Sequence, residues 1–195
     1  MFGRSFWCFN DFPTLETERL LLRRLLVRDK DDMYEYAHKS EITKYLLWHE
    51  HPTRDYTARY LKYLQGCYRR GEYYDWAVVL KEQDKMIGTC GFVEFDNDNN
   101  SAEIGYVISD KFHSRGFATE AVKCAIAFGF ESLKLNRIVA RHIVGNDASG
   151  RVMTKCGMSF EGIQRKAMYI KEYYRDIAQY AILKEDYERS ENEKQ

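Results

Sequence analysis

Two rhythms of apolar and polar positions divide this chain. Asp75–Leu80 (DWAVVL), Met86–Phe95 (MIGTCGFVEF) and Ala102–Ile108 (AEIGYVI) are short and rich in β-branched and aromatic residues, and the polar turns KEQDK and DNDNN separate them. They predict a meander of three antiparallel strands. The period then lengthens. Val122, Ala125, Ile126, Gly129 and Leu133 repeat at i, i+3, i+4, i+7 and i+11, the apolar stripe of a helix that runs to about Lys134. Upstream, Arg19–Leu26 reads as a first strand and Asp29–His38 as a helix with acidic residues in its first turn. Thr53–Arg70 reads as a second helix, capped by Thr53, ended by Gly71, with Tyr56, Tyr60, Leu64 and Cys67 near helical spacing.

Downstream, Arg137–Val144 is a further strand and Gly145-Asn146 a turn. Ala148–Cys156 is a short helix that Asp147 can cap. Ser159–Ile170 and Tyr174–Leu183 form a last hairpin around Lys171-Glu172-Tyr173, and Glu185–Gln195 is a charge-rich, fraying helix end. The order β, α, α, β, β, β, α, β, α, β, β predicts an α+β, mixed α/β fold. Its sheet is largely antiparallel, with one βαβ unit over 102–144 whose strands run parallel.

Composition narrows the function classes. The 195 residues carry 30 basic and 30 acidic side chains, so no global field draws the chain to nucleic acid or to a membrane surface. That length suits one domain over 1–195, with a core at 14–187, an N-terminal extension at 1–13 and a polar tail at 188–195. No apolar run reaches the length of a membrane span. The N-terminal stretch lacks the apolar core and cleavage site of a signal peptide. The five cysteines, Cys8, Cys67, Cys90, Cys124 and Cys156, are widely spaced and unmatched by histidines. They read as reduced thiols of a cytoplasmic protein rather than as a metal site.

The stretch HSRGFATEAV, 113–122, holds the candidate chemistry. A helix N-terminus leaves N–H groups without partners and carries the positive end of the macrodipole. Gly116 and Ala118 leave room for a ligand against the backbone, and Arg115 adds a charge. The plain alternative is a helix entrance capped by Ser114 or Thr119. Neither Gly-Lys-Ser/Thr nor Gly-x-Gly-x-x-Gly occurs, which disfavours a triphosphatase or a dinucleotide dehydrogenase.

Five segments in order extend this corner: ETERLLLR at 16–23, IGTCGF at 87–92, AEIGYVISDKFHSRGFATEAV at 102–122, LKLNRIVARHIVGNDASGRVMTKCGMSFEG at 133–162 and YYRDIAQYAILKEDY at 173–187. Together they resemble the GNAT superfamily of acetyl-CoA-dependent N-acetyltransferases, nearest the branch of ribosomal-protein N-terminal-alanine acetyltransferases. The resemblance implies a twisted, mostly antiparallel sheet with a splayed parallel strand pair at its centre. His113 to Ala118 match the family's pyrophosphate loop, with His113 in place of the usual Gln or Arg. The backbone from Arg115 through Gly116, Phe117 and Ala118 to Thr119 would hold the pyrophosphate. Val107 and Ile108 would lie along the pantetheine arm. Asn146 and Ser149 match Asn-x-x-Ser, Asn146 toward the pantetheine and Ser149 as proton donor to the leaving thiolate.

The reaction implied is direct attack of a primary amine on the thioester in a ternary complex. Amines are mostly protonated near neutral pH, so a base assists, and Glu103 is the carboxylate candidate. A backbone N–H near Val107 would polarise the carbonyl. Met168 stands where some relatives carry a functional Glu, and Asp176 shapes the last hairpin. Tyr34, Tyr36, Tyr45, Trp48, His49 and His51 are expected to line one wall of the acceptor groove, and His142 is structural. The acceptor is a protein N-terminal amine, as on a ribosomal protein, or a small polyamine, amino acid or aminoglycoside. No metal is implied, and dimers are frequent among relatives. A coenzyme-binding regulatory module without catalysis is the alternative of a different class.

Overall fold

The computed structural model describes residues 12–71 and 74–193. Its centre is one eight-stranded sheet: β1 (Leu15–Glu16), β2 (Leu20–Arg23), β3 (Tyr74–Leu80), β4 (Lys85–Asp96), β5 (Ser101–Ile108), β6 (Arg137–Ile143), β7 (Ser159–Ile170) and β8 (Tyr173–Leu183). The strand order is β1-β2-β3-β4-β5-β6-β8-β7. All pairs are antiparallel except β5 with β6, which closes the expected βαβ unit. Among the described residues six α-helices accompany the strands: α1 (Lys30–Ala37), α2 (Ser40–Thr43), α3 (Arg54–Arg70), α4 (Phe117–Glu131), α5 (Asp147–Lys155) and, after the last strand, α6 (Lys184–Asn192).

The α4 stripe packs as its period demands: Val122, Ala125 and Ile126 are buried, and so is Leu133 in the turn that follows. Gly129 lies so close to the sheet that a Cβ would stand 2.8 Å from Ile138 Cδ1. In α3, Thr53 accepts from the Tyr56 N–H at 3.1 Å and Gly71 takes the left-handed conformation that ends the helix. Its buried face is Thr57, Leu61, Leu64, Cys67 and Tyr68, so the stripe is turned from the expected one, and Tyr56 is exposed.

Three local expectations are corrected. The first strand stops at Arg23, short of Leu26. Buried Asp29 draws the chain round by accepting from Arg23 at 2.8 Å and from the Leu26 N–H at 2.7 Å. The α5 helix begins one residue early, with Asn146 in the capping position that Asp147 was expected to fill, and no side chain caps it. The four-residue α2 and the two-residue β1 have no counterpart in the sequence reading. The aromatic stretch and Cys8 at 1–11, and the last two residues of the polar tail, lie outside the described residues. No helix among the described residues is long and apolar enough to cross a membrane.

One irregularity positions everything that follows. The parallel β5–β6 pairing holds only for Ser101, Ala102 and Glu103 against Arg137, Ile138 and Val139. Beyond Glu103 the two strands part and leave a wedge. β4 stays with β5 through a register shift between Phe92 and Glu94, a bulge that bends the pair and leaves Val93 exposed.

Candidate active site

The corner before α4 is a bare helix N-terminus. Ser114 and Gly116 take left-handed backbone conformations, φ 61° and 82°, and no side chain caps the helix. Neither Ser114 nor Thr119 fills the capping role. Glu120 N–H bonds to the Gly116 carbonyl at 3.0 Å. The N–H groups of Phe117, Ala118 and Thr119 precede it, in the turn where a helix offers donors without intrahelical partners.

A clamp from the far end of the chain fixes this corner. Glu120 accepts from Thr17 Oγ1 at 2.6 Å, from the Arg19 N–H at 3.0 Å and from Arg19 Nε at 2.7 Å. Arg19 Nη1 donates to the Arg115 carbonyl at 3.1 Å, and its guanidinium lies 4.5 Å from the centre of the Phe117 ring. Thr17 and Arg19 belong to the ETERLLLR segment, whose role the sequence reading did not find. Burial pushes the Glu120 carboxyl up, but the bonds from Thr17 and Arg19 outweigh it and hold the group below its ordinary value. Glu120→Gln should therefore cost about 1 kcal/mol of stability at neutral pH. The deficit should persist above the ordinary value of 4.5 and vanish as the pH falls through the lower folded value. Thermal melts of both proteins from pH 3 to 7 check this.

A cavity of about 530 Å³ occupies the wedge and the corner. Val107 and Ile108 of β5, with Asn146 and Ser149 at the start of α5, line the wedge, and His113, Gly116, Phe117, Ala118 and Thr119 line the corner at α4. Glu41, Ile42, Tyr45 and Leu46, from α2 and the turn after it, form a further wall, of which the sequence reading had named Tyr45. Two expected residues lie off the lining. Arg115 is exposed, with its guanidinium 5.6 Å from the centre of the Phe112 ring. Glu103 sits where β5 and β6 part. His113 Nε2 bonds to the Ile108 carbonyl at 2.8 Å, so this nitrogen is a donor already engaged.

Tyr106, which the sequence reading passed over, reaches across the wedge. Its hydroxyl lies 2.9 Å from the Ser149 carbonyl and 2.8 Å from Ser149 Oγ. Burial pushes the phenol up, more than the Ser149 hydrogen bond lowers it. Glu103 accepts from Arg141 Nε at 2.9 Å and from the second arm of the same guanidinium, which also reaches Glu94 at 3.4 Å.

The remaining candidates spread out. Of the six aromatic and histidine residues expected at an acceptor wall, Tyr45 lines the cavity. Tyr36 is buried in the core, and His51 is buried with Nδ1 2.9 Å from Thr57 Oγ1, ringed by Trp48, Tyr56 and Tyr60. Tyr34 stacks on His38, and His49 is exposed. Met168 packs with Tyr45 against Ile143, Ile170 and Ile177. Asp176 accepts from the Lys166 N–H at 2.7 Å, inside the irregular stretch of β7. His142 Nδ1 bonds to the Ile143 carbonyl at 2.9 Å. Burial raises the thiols of Cys124 and Cys156, the latter to about 12, which makes both poor nucleophiles.

A family model described as an acetyltransferase (GNAT) domain matches residues 19–159. The chain belongs to the GNAT acetyltransferase family. This GNAT chain is 33% identical over 174 residues to an uncharacterized N-acetyltransferase, p20, of Bacillus licheniformis, covering 89% of this chain and 98% of that one. It is 30% identical over 123 residues to the ribosomal-protein-serine acetyltransferase of Escherichia coli K12, covering 62% of this chain and 68% of that one. The crystal structure of a GNAT-family acetyltransferase from Bacillus anthracis superposes with a TM-score of 0.79 at 29% identity, covering 89% of this chain and 99% of that one. The protein is thus an N-acetyltransferase with the GNAT fold, in a family that uses acetyl-CoA.

Proposed function

We propose that this enzyme acetylates a primary amine by direct attack in a ternary complex, and that the amine is the N-terminus of a protein such as a ribosomal protein. The observation that carries the reading is the wedge: a parallel strand pair that opens after three residues beside an uncapped helix N-terminus. The residues fit the coenzyme. The N–H groups of the α4 first turn suit a pyrophosphate, and Gly116 keeps a side chain out of its way. Val107, Ile108 and Asn146 border the space for an extended pantetheine arm.

Acetyl-CoA supplies the reactive thioester when bound. The protein supplies orientation and proton handling. Ser149 offers a hydroxyl to the leaving sulfur, and Glu103 relieves the incoming amine of its proton through water. A backbone N–H near Val107 polarises the carbonyl. The raised thiols of Cys124 and Cys156 support direct attack over an acyl-enzyme. The likeness to the ribosomal-protein-serine acetyltransferase of Escherichia coli supports a ribosomal protein as acceptor.

The test is an acetylation screen over N-terminal peptides of ribosomal proteins, polyamines, amino acids and aminoglycosides, followed by thiol release. Peptide turnover should exceed that of the small amines by at least about tenfold in kcat/KM, the size of one or two specific contacts. Preference for a small amine removes the protein-acceptor reading and keeps the acetyltransferase. No thiol release with any amine, despite tight acetyl-CoA binding, favours a regulatory module.

A further inference from the structure

Tyr106 stands on β5 opposite Cys90 of β4, so its backbone is held on the β4 side while its side chain spans the wedge toward α5. A phenol carries one proton, and a carbonyl can only accept. When Tyr106 donates to the Ser149 carbonyl at 2.9 Å, the contact of 2.8 Å between the hydroxyls must be filled by the Ser149 proton. In that arrangement Ser149 points its proton at Tyr106 and turns its lone pairs to the cavity. For Ser149 to donate toward sulfur, the phenol has to rotate its proton from the carbonyl to Ser149 Oγ, and both acceptors are already in reach.

We propose that Tyr106 is a positioning residue for acetyl transfer, which holds the Ser149 hydroxyl at the wedge and stands behind it as a donor when that hydroxyl turns to the leaving sulfur. The inference rests on the role of Ser149 given above. The N–C bond forms and the C–S bond breaks. The amine's proton passes to Glu103 and on to water, the leaving thiolate takes the Ser149 proton and departs as the thiol, and water returns one proton to the pair, so Tyr106 and Ser149 finish as they began. Burial favours the protonated phenol, so Tyr106 remains a donor through the neutral range. Without it, a serine in the first turns of a helix turns readily to a backbone carbonyl.

The test uses the full chain as Tyr106→Phe, Ser149→Ala and the double variant. Phenylalanine keeps the ring that packs against the core and removes only the hydroxyl. Each protein is measured for kcat, for coenzyme A affinity by calorimetry and for melting temperature. Tyr106→Phe should lower kcat about tenfold with coenzyme A affinity unchanged within about twofold, and the double variant should be no slower than Ser149→Ala. Losses that multiply in the double variant, affinity that falls in step with kcat, or a Tyr106→Phe chain that fails to fold would each overturn the proposal and make the hydroxyl a structural tie. Full kcat in Ser149→Ala sinks the Ser149 reading itself. A normal Tyr106→Phe beside a slow Ser149→Ala sinks only this inference.

Discussion

Gly116→Glu is expected to abolish coenzyme A binding in a chain that still folds. The position has φ 82°, where a side chain costs about 1 kcal/mol of stability. A Cβ there would lie 3.4 Å from Arg19 Nη2, an ordinary contact that Arg19 can accommodate. The larger effect is electrostatic. A carboxylate about 4 Å from a pyrophosphate oxygen repels it by about 4 kcal/mol near a protein surface, roughly a thousandfold in affinity. Gly116→Ala meets the same backbone cost without the charge and should weaken binding less than tenfold. Calorimetry with coenzyme A, beside melting curves with acetyl-CoA and with ATP, gives the answer. Unchanged affinity in Gly116→Glu would remove the phosphate cradle from this corner.

Glu103→Gln is expected to lower kcat about a hundredfold, the scale of a lost general base. The carboxylate stands at the last β5–β6 pair, where the strands part, and Arg141 holds it from one side. The rate should rise with pH as the acceptor amine deprotonates in solution, and the variant should gain most at high pH, where the amine needs no base. Glu94→Gln is the control, since Glu94 shares Arg141 at 3.4 Å with a side chain 71% exposed. A pH profile of kcat for the three proteins decides. Wild-type rates in Glu103→Gln would leave the Arg141 pair as a tie between two diverging strands.

What could be read from the sequence was what is encoded locally. The α4 stripe, the meander and the βαβ crossover follow from period and turn chemistry within a few residues. The helix entrance at Gly116 was legible because a left-handed glycine before a helix leaves a short signature. The clamp was not, because Arg19 and Glu120 are 101 positions apart and each alone looks like a solvated charge. α2 is too short to show a period, though it carries a wall of the cavity. The point where β5 and β6 separate was hidden for a different reason. AEIGYVI keeps its strand pattern beyond Glu103, and the bulge that bends it lies on β4. The aromatic and histidine cluster misled because rings between two helices serve packing: His51 and Tyr36 are interior residues.

The wedge also makes the sheet vulnerable at its centre. Most sheets expose unpaired backbone only at their two outer strands, but here β5 and β6 turn raw edges toward each other in the middle of the molecule. Such edges invite a foreign strand. Tyr106 crosses this opening, and Tyr45 approaches Gly145 at the end of β6. An extended ligand lying there would replace the missing partner strand, and the integrity of the sheet would then depend on the occupancy of this opening.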